Sequence, residues 1–184
     1  MYTTGERRLF FGLELPESLK SRLLSIQQPL EGARWQQPEQ LHLTLKFLGA
    51  VQESQLKAVQ LAAMNIPIKP FNLALLGLGC FGEPERPKAL WAGIEHSELL
   101  EELQSTLSRR MVPCGFQEEA RRFQPHITLA RISQPSGSVQ SLLKSYSDYS
   151  VGTMPVNFFS LFQSNLTPEG SVYTVLDRFE LNAA

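Results

Sequence analysis

Apolar and polar residues alternate along several stretches of the chain in the manner of half-buried β-strands. In residues 41–48 (LHLTLKFL), every second side chain is aliphatic or aromatic, and those between them are His42, Thr44 and Lys46. Because successive side chains of a strand point to opposite faces, this segment is predicted to bury one face and expose the other. Apolar runs predict three further strands, at 71–79, 156–164 and 172–181.

Four segments carry apolar residues at the three- and four-residue spacing of an amphipathic helix. These positions are Leu19, Leu23 and Ile26 in the first; Leu56, Val59 and Ala63 in the second; Leu99, Leu100, Leu103, Leu107 and Met111 in the third; and, less regularly, Val139, Leu142, Leu143 and Tyr146 in the fourth. Pro16 suits the opening turn of the first helix, and Ser97 is predicted to be the N-cap of the third.

These elements occur in the same order in both halves of the chain. LFFGLE (9–14) and LWAGIE (90–95) share a pattern, and each is predicted to be a strand that is followed by a helix. Each half then has a His-(Leu/Ile)-Thr-Leu tetrapeptide, HLTL at 42–45 or HITL at 126–129, followed by another helix and a strand. An offset of roughly eighty residues suits a duplicated lobe, although coarse alternation alone is also found in unduplicated α+β proteins. We predict one α+β domain over residues 1–184, with two intertwined, pseudo-two-fold related lobes whose repeat units span roughly 8–82 and 88–167.

Size, charge and cysteine content narrow the function classes. The chain has 184 residues and a formal net charge of −1, so any nucleic-acid contact must use a local basic patch. Cys80 and Cys114 form neither a disulfide framework nor a zinc ligand set. Glu14 and Pro16 cut the apolar run near the N-terminus too early for a signal peptide or a membrane span, which predicts a cytoplasmic protein.

Two of the three histidines open the repeated tetrapeptide, and each shares a strand face with a threonine. The pairs are His42 with Thr44 and His126 with Thr128. A lone strand histidine is usually a hydrogen-bonded residue without chemistry, but two lobes related by a pseudo-two-fold axis would bring both pairs to one groove. One neutral imidazole could then accept a proton while the other donates one, and the threonine hydroxyls could donate to phosphate oxygens.

The residue pattern is unfavourable for other catalytic centres. Two histidines without a clustered carboxylate or thiolate make a poor zinc or iron site, so no metal or other cofactor is expected. Neither cysteine lies in an activating motif. The glycines of LLGLGCFG (75–82) lack the spacing of a phosphate-binding loop, which argues against ATP-driven chemistry.

Paired H-x-T-x motifs on the strands of a duplicated α+β chain resemble the 2H phosphoesterase superfamily. The segments RLFFGLELP, LHLTLKFLG, PHITLAR and SNLTPEGSVYTVL resemble, in order, the bacterial and archaeal RNA 2′,3′-cyclic phosphodiesterases, also called 2′-5′ RNA ligases. The resemblance implies two antiparallel sheets flanking a central cleft, with helices outside. It also implies metal-free hydrolysis of RNA or nucleotide 2′,3′-cyclic phosphate ends to 2′-phosphates, and a reversible, ATP-independent 2′-5′ ligation. We expect a monomer that contacts no membrane.

The same resemblance assigns roles to five side chains. His126 would be the proton acceptor that activates water, and His42 the proton donor to the departing 3′ oxygen. Thr44 and Thr128 would hold the phosphate oxygens. Arg131 matches an arginine that closes the second motif in the close relatives, and would supply positive charge to the phosphate.

Three side chains are harder to place from the strand pattern. In a regular strand, Arg131 would face away from His126; a bend or bulge would bring it to the site, and otherwise it is a surface arginine. Lys46 shares the predicted face of His42, and either steers the phosphate or is simply solvated. Phe11 stands where relatives have an aromatic residue that stacks on a base, or else it is a core residue.

Two alternative functions remain open at this point. The same groups would serve a phosphodiesterase for another cyclic phosphate, such as ADP-ribose 1″,2″-cyclic phosphate. A non-catalytic RNA-end binding module would use the His–Thr pairs only to hold phosphate, which arginine would do better.

Overall fold

The computed structural model describes residues 5–182. Within them, the chain forms nine β-strands and four α-helices, joined by loops and short turns. The strands are β1 (Glu6–Glu14), β2 (Ala33–Trp35), β3 (His42–Gln52), β4 (Phe71–Glu83), β5 (Arg86–Ile94), β6 (His126–Ile132), β7 (Ser150–Val156), β8 (Phe158–Thr167) and β9 (Gly170–Glu180). The helices are α1 (Glu17–Leu24), α2 (Glu53–Ala63), α3 (Glu98–Met111) and α4 (Gln140–Ser145). The strands form two antiparallel sheets, which confirms the predicted α+β fold.

Each sheet contains one strand that begins at a histidine of the repeated motif. The four-stranded sheet has the order β3-β1-β8-β9, and the five-stranded sheet has the order β2-β6-β5-β4-β7. Within these orders, β3-β1-β8 corresponds to β6-β5-β4. The two halves of the chain exchange strands, because β4 from the first half joins the sheet of β5 and β6, while β8 from the second half joins the sheet of β1 and β3.

Helix α3 is stabilised by an N-cap and by burial of the predicted apolar stripe. The Ser97 side chain accepts a hydrogen bond of 3.2 Å from the backbone N–H of Leu100, which confirms the predicted N-cap. Leu100, Leu103, Leu107 and Met111 are at most 1% exposed. Burial of these four side chains supplies the tertiary packing on which a helix of this length depends.

The aliphatic faces of the two histidine strands are buried as the alternation predicts. Leu43 and Leu45 of β3, and Ile127 and Leu129 of β6, are at most 3% exposed. They belong to one hydrophobic core that also includes residues of α1, α2 and α3. Because this core takes one face of each strand, the opposite faces remain available to line a cleft.

Two strands were not predicted from the sequence. β2 has only three residues, and β7 contains both Gly152 and Pro155. β7 lies at the edge of its sheet, where Pro155 is paired with Asn72 of β4, and an edge strand tolerates a proline that donates no hydrogen bond. None of the helices within residues 5–182 is long and apolar enough to cross a membrane.

Candidate active site

A cleft of about 440 Å³, lined by residues of both sheets, contains both motif histidines. His42 and Thr44 line it from the start of β3, and His126 and Thr128 line it from the start of β6. All four side chains are half-buried. The fold therefore brings together two His–Thr pairs that are far apart in the sequence.

Both imidazoles are held in the same orientation by the backbone. The Nδ1 atom of His42 lies 2.7 Å from the carbonyl oxygen of Gln40, and Nδ1 of His126 lies 2.7 Å from that of Gln124. A carbonyl oxygen can only accept, so Nδ1 carries the hydrogen in both rings and Nε2 is the nitrogen left for chemistry. In His42, Nε2 lies 3.1 Å from the hydroxyl oxygen of Thr44.

His42 is surrounded by aromatic rings. Its ring centroid lies 4.8 Å from that of Phe10, 4.9 Å from that of Tyr173 and 5.9 Å from that of Phe162. Burial lowers the pKa of His42 from 6.5 to about 4; the hydrogen bond to the Gln40 carbonyl opposes this shift, and the nearby charges of Arg131 and His126 add to it. In the unliganded protein, His42 is therefore neutral at pH 7.

A β-bulge interrupts each histidine strand at the same distance from its histidine. In β6, Thr128 is paired with Trp91 and Ala130 with Leu90, so Leu129 is an extra residue. In β3, Thr44 is paired with Gly12 and Lys46 with Phe11, so Leu45 is the extra residue. One extra residue reverses the facing of the side chains that follow it, as far as the next bulge, which in β3 is at Leu48.

The bulges decide which residues reach the cleft beyond the threonines. Arg131 lines the cleft, as it would not in a regular strand. Phe47 occupies the equivalent place in β3, lines the same cleft and is 65% exposed. Lys46 does not share the face of His42, contrary to the alternation of the sequence; it is 6% exposed, and its ammonium group donates to the carbonyl oxygen of Gln117 at 2.9 Å.

Of the two alternatives for Phe11, a base-stacking residue or a core residue, the structure shows the core residue. Phe11 is 0% exposed and packs edge-on against Phe159 and Phe179 in the core, because its face of β1 is the buried one. The preceding residue, Phe10, lines the cleft and packs against His42. The exposed aromatic side chain of the cleft is Phe47.

Sequence reasoning missed the part that Gln40 plays. Its carbonyl oxygen orients His42, and its side-chain amide donates to the carbonyl oxygen of Ser171 at 3.0 Å. A signal was present, because glutamine stands two residues before each motif histidine, at 40 and at 124. Among residues 5–182, no three His, Cys, Asp or Glu side chains are grouped closely enough to hold a metal ion.

Comparison with known proteins finds relatives along nearly the whole chain. The family described as "LigT like Phosphoesterase" matches residues 13–91 and 94–173. An RNA 2′,3′-cyclic phosphodiesterase of Methanothermobacter thermautotrophicus is 33% identical, over 95% of this chain and 98% of the relative. One from Archaeoglobus fulgidus is 31% identical, over 94% of this chain and 99% of the relative.

Solved structures agree with this comparison. A protein of Thermus thermophilus superimposes with a TM-score of 0.81 and 32% identity, covering 95% of this chain and 97% of that one. E. coli LigT, in a crystal structure with 3′-AMP, superimposes with a TM-score of 0.78 and 28% identity, covering 96% of this chain and 99% of that one.

Proposed function

This chain belongs to the LigT-like phosphoesterase family, and we propose that it hydrolyses the terminal 2′,3′-cyclic phosphate of RNA to a 2′-phosphate. The observation that carries the proposal is the meeting of two His–Thr pairs, from strands of different sheets, in a single cleft. Opening a cyclic phosphate by water requires one proton to be removed and another to be supplied. Two imidazoles in one cleft are suited to both transfers.

His126 and His42 divide the two proton transfers. Nε2 of His126 takes a proton from water as the water oxygen bonds to phosphorus, and Nε2 of His42 gives a proton to the 3′ oxygen as its bond to phosphorus breaks. The carbonyls of Gln124 and Gln40 hold the rings so that Nε2 is the reacting atom. The products are a 2′-phosphate and a free 3′ hydroxyl.

The remaining cleft side chains bind the phosphate and the nucleoside. Thr44 and Thr128 donate to the non-bridging phosphate oxygens, and the Arg131 guanidinium balances their charge. Phe47, rather than Phe11, offers its exposed ring to the terminal base. If a 5′ hydroxyl of RNA replaces water, the same transfers join two ends through a 2′-5′ bond without ATP.

A cleavage assay in EDTA tests this function. The substrate is an RNA oligomer ending in a 2′,3′-cyclic phosphate, and the product end is identified as a 2′- or a 3′-phosphate. We expect a 2′-phosphate, formed without metal by a monomer. His42→Ala and His126→Ala should each lower turnover about 100- to 10,000-fold.

His96→Ala is the matched control, because the His96 side chain is 68% exposed and does not line the cleft. It should retain wild-type turnover. Folded His42→Ala or His126→Ala protein with wild-type turnover would disprove the two-histidine mechanism, and loss of activity in EDTA would disprove metal independence.

A further inference from the structure

A second cavity adjoins the cleft beside the tip of the β8–β9 hairpin. This cavity, of about 320 Å³, lies between residues 37–40 and residues 167–173, and we call it the hairpin groove. Gln40, Ser171 and Tyr173 line both the cleft and the groove. The two cavities are therefore neighbours that share part of their lining, and the groove lies beside the nucleotide held at the two histidines.

Hydrogen bonds within the protein hold the walls of the hairpin groove. The Gln40 side chain donates to the Ser171 carbonyl at 3.0 Å, and the Thr167 hydroxyl donates to the Gly170 carbonyl at 2.9 Å. The Arg34 guanidinium donates to the Glu169 carbonyl. A preformed site costs less ordering of side chains on binding than a site that must assemble around its ligand.

Its lining suits a neutral, flat group better than a phosphate. Among the described residues that line the groove, the charged ones are Glu39 and Glu169, both acidic and exposed. Val172 adds an apolar surface that is 50% exposed, and Tyr173 adds a ring. Carboxylates repel a phosphate but accept hydrogen bonds from the amino groups of a nucleobase, whose faces pack against apolar and aromatic side chains.

Two arginine side chains supply positive charge between the cleft and the hairpin groove. Arg34 of β2 is paired across the strands with Arg131 of β6, so the two side chains share a face of the sheet. Arg131 lines the cleft, and the Arg34 guanidinium lies beside the hairpin turn, where a Cβ on Gly170 would be 2.5 Å from it. A phosphodiester that joins a nucleoside in the cleft to one in the groove would meet this arginine pair.

We propose that the hairpin groove binds the nucleobase of the penultimate nucleotide, so that RNA chains are better substrates than single nucleotides. This inference rests on the proposed function, because it takes the terminal cyclic phosphate to lie between the histidines. It predicts that a dinucleotide ending in a cyclic phosphate has a higher kcat/KM than the corresponding nucleoside 2′,3′-cyclic phosphate.

The test compares these two substrates in wild type and in the double variant Glu39→Ala/Val172→Ala, which alters the groove but not the cleft. The wild type should favour the dinucleotide roughly tenfold, or about 1.4 kcal/mol, and the double variant should lose most of that preference. Turnover of the mononucleotide should not change. Leu61→Ala, at an exposed aliphatic residue outside both cavities, is the control and should keep the preference.

Equal kcat/KM for the two substrates in wild type would overturn the groove inference and leave the proposed function intact. So would a double variant that keeps the dinucleotide preference, or that loses activity equally on both substrates while remaining folded by circular dichroism. Failure of the wild type to hydrolyse either substrate would instead overturn the proposed function.

Discussion

The pKa of His42 gives the sharpest test of the proposed division between acid and base. Burial among aromatic rings lowers this pKa to about 4 in the unliganded protein. At pH 7, about one molecule in a thousand then carries a proton on His42, which is too few for an efficient general acid. The assignment of His42 as proton donor therefore requires the substrate itself to raise the pKa.

The size of this effect follows from Coulomb's law. A phosphate anion hydrogen-bonded to the ring places unit charges about 4 Å apart, which is worth about 4 kcal/mol at an effective dielectric constant near 20. Because a pKa change of one corresponds to about 1.36 kcal/mol, the pKa of His42 should rise by up to about 3. The protonated fraction at pH 7 then approaches half, and the ring can act as an acid.

Titration of the ring signals by NMR, with and without a bound nucleoside 2′-monophosphate, measures this shift. The three histidine signals are assigned with His42→Gln and His96→Gln. We expect the pKa of His42 to be about 4 in the free protein and clearly higher in the complex. If it stays near 4 at saturating ligand, His42 cannot be the acid, and the roles of the two histidines must be exchanged; an ordinary value in the free protein would refute the burial argument.

Three other substitutions have distinct expected outcomes. Arg131→Ala should lower kcat/KM about 10- to 150-fold through loss of a charged hydrogen bond, whereas Arg109→Ala, at an exposed position of α3, should not; equal kinetics for the two variants would show that Arg131 does not contact the substrate. Phe47→Ala should raise KM for the nucleotide roughly tenfold, and urea unfolding should change by no more than about 0.5 kcal/mol because the side chain is 65% exposed; an unchanged KM would exclude stacking. Phe11→Ala should cost about 3–5 kcal/mol of unfolding free energy, and a stability loss under about 1 kcal/mol would contradict its core position.

The sequence was informative where periodicity and repetition carried the signal. The repeated tetrapeptide identified His42 and His126, and both line the cleft. The apolar stripe of α3 and its cap at Ser97 were also readable, because helical spacing and capping chemistry are local. The pairing of β4 and β8 with strands of the opposite half was not readable, since long-range strand order leaves no local pattern.

The errors at Lys46 and Phe47 have one physical origin. A bulge is visible in the hydrogen-bond register and not in the alternation of residue types, so the alternation places Lys46 in the cleft and Phe47 in the core. In β6, the adjacent apolar residues Leu129 and Ala130, just before Arg131, are both buried. This break in the alternation is where the sequence shows the second bulge. Phe10 and Phe11 are adjacent and identical, and only the fold decides which of them faces the ligand.

The exchange of β4 and β8 makes the two halves of the molecule dependent on each other. A backbone cut in the turn between β4 and β5, at residues 84–85, would yield two fragments. Each fragment keeps one motif histidine and carries a strand that the other fragment's sheet needs. Neither fragment alone could assemble a complete sheet or a cleft. Catalytic activity would return only when the two fragments are mixed and fold together. In this enzyme, formation of the active site and folding of both halves are therefore one cooperative event.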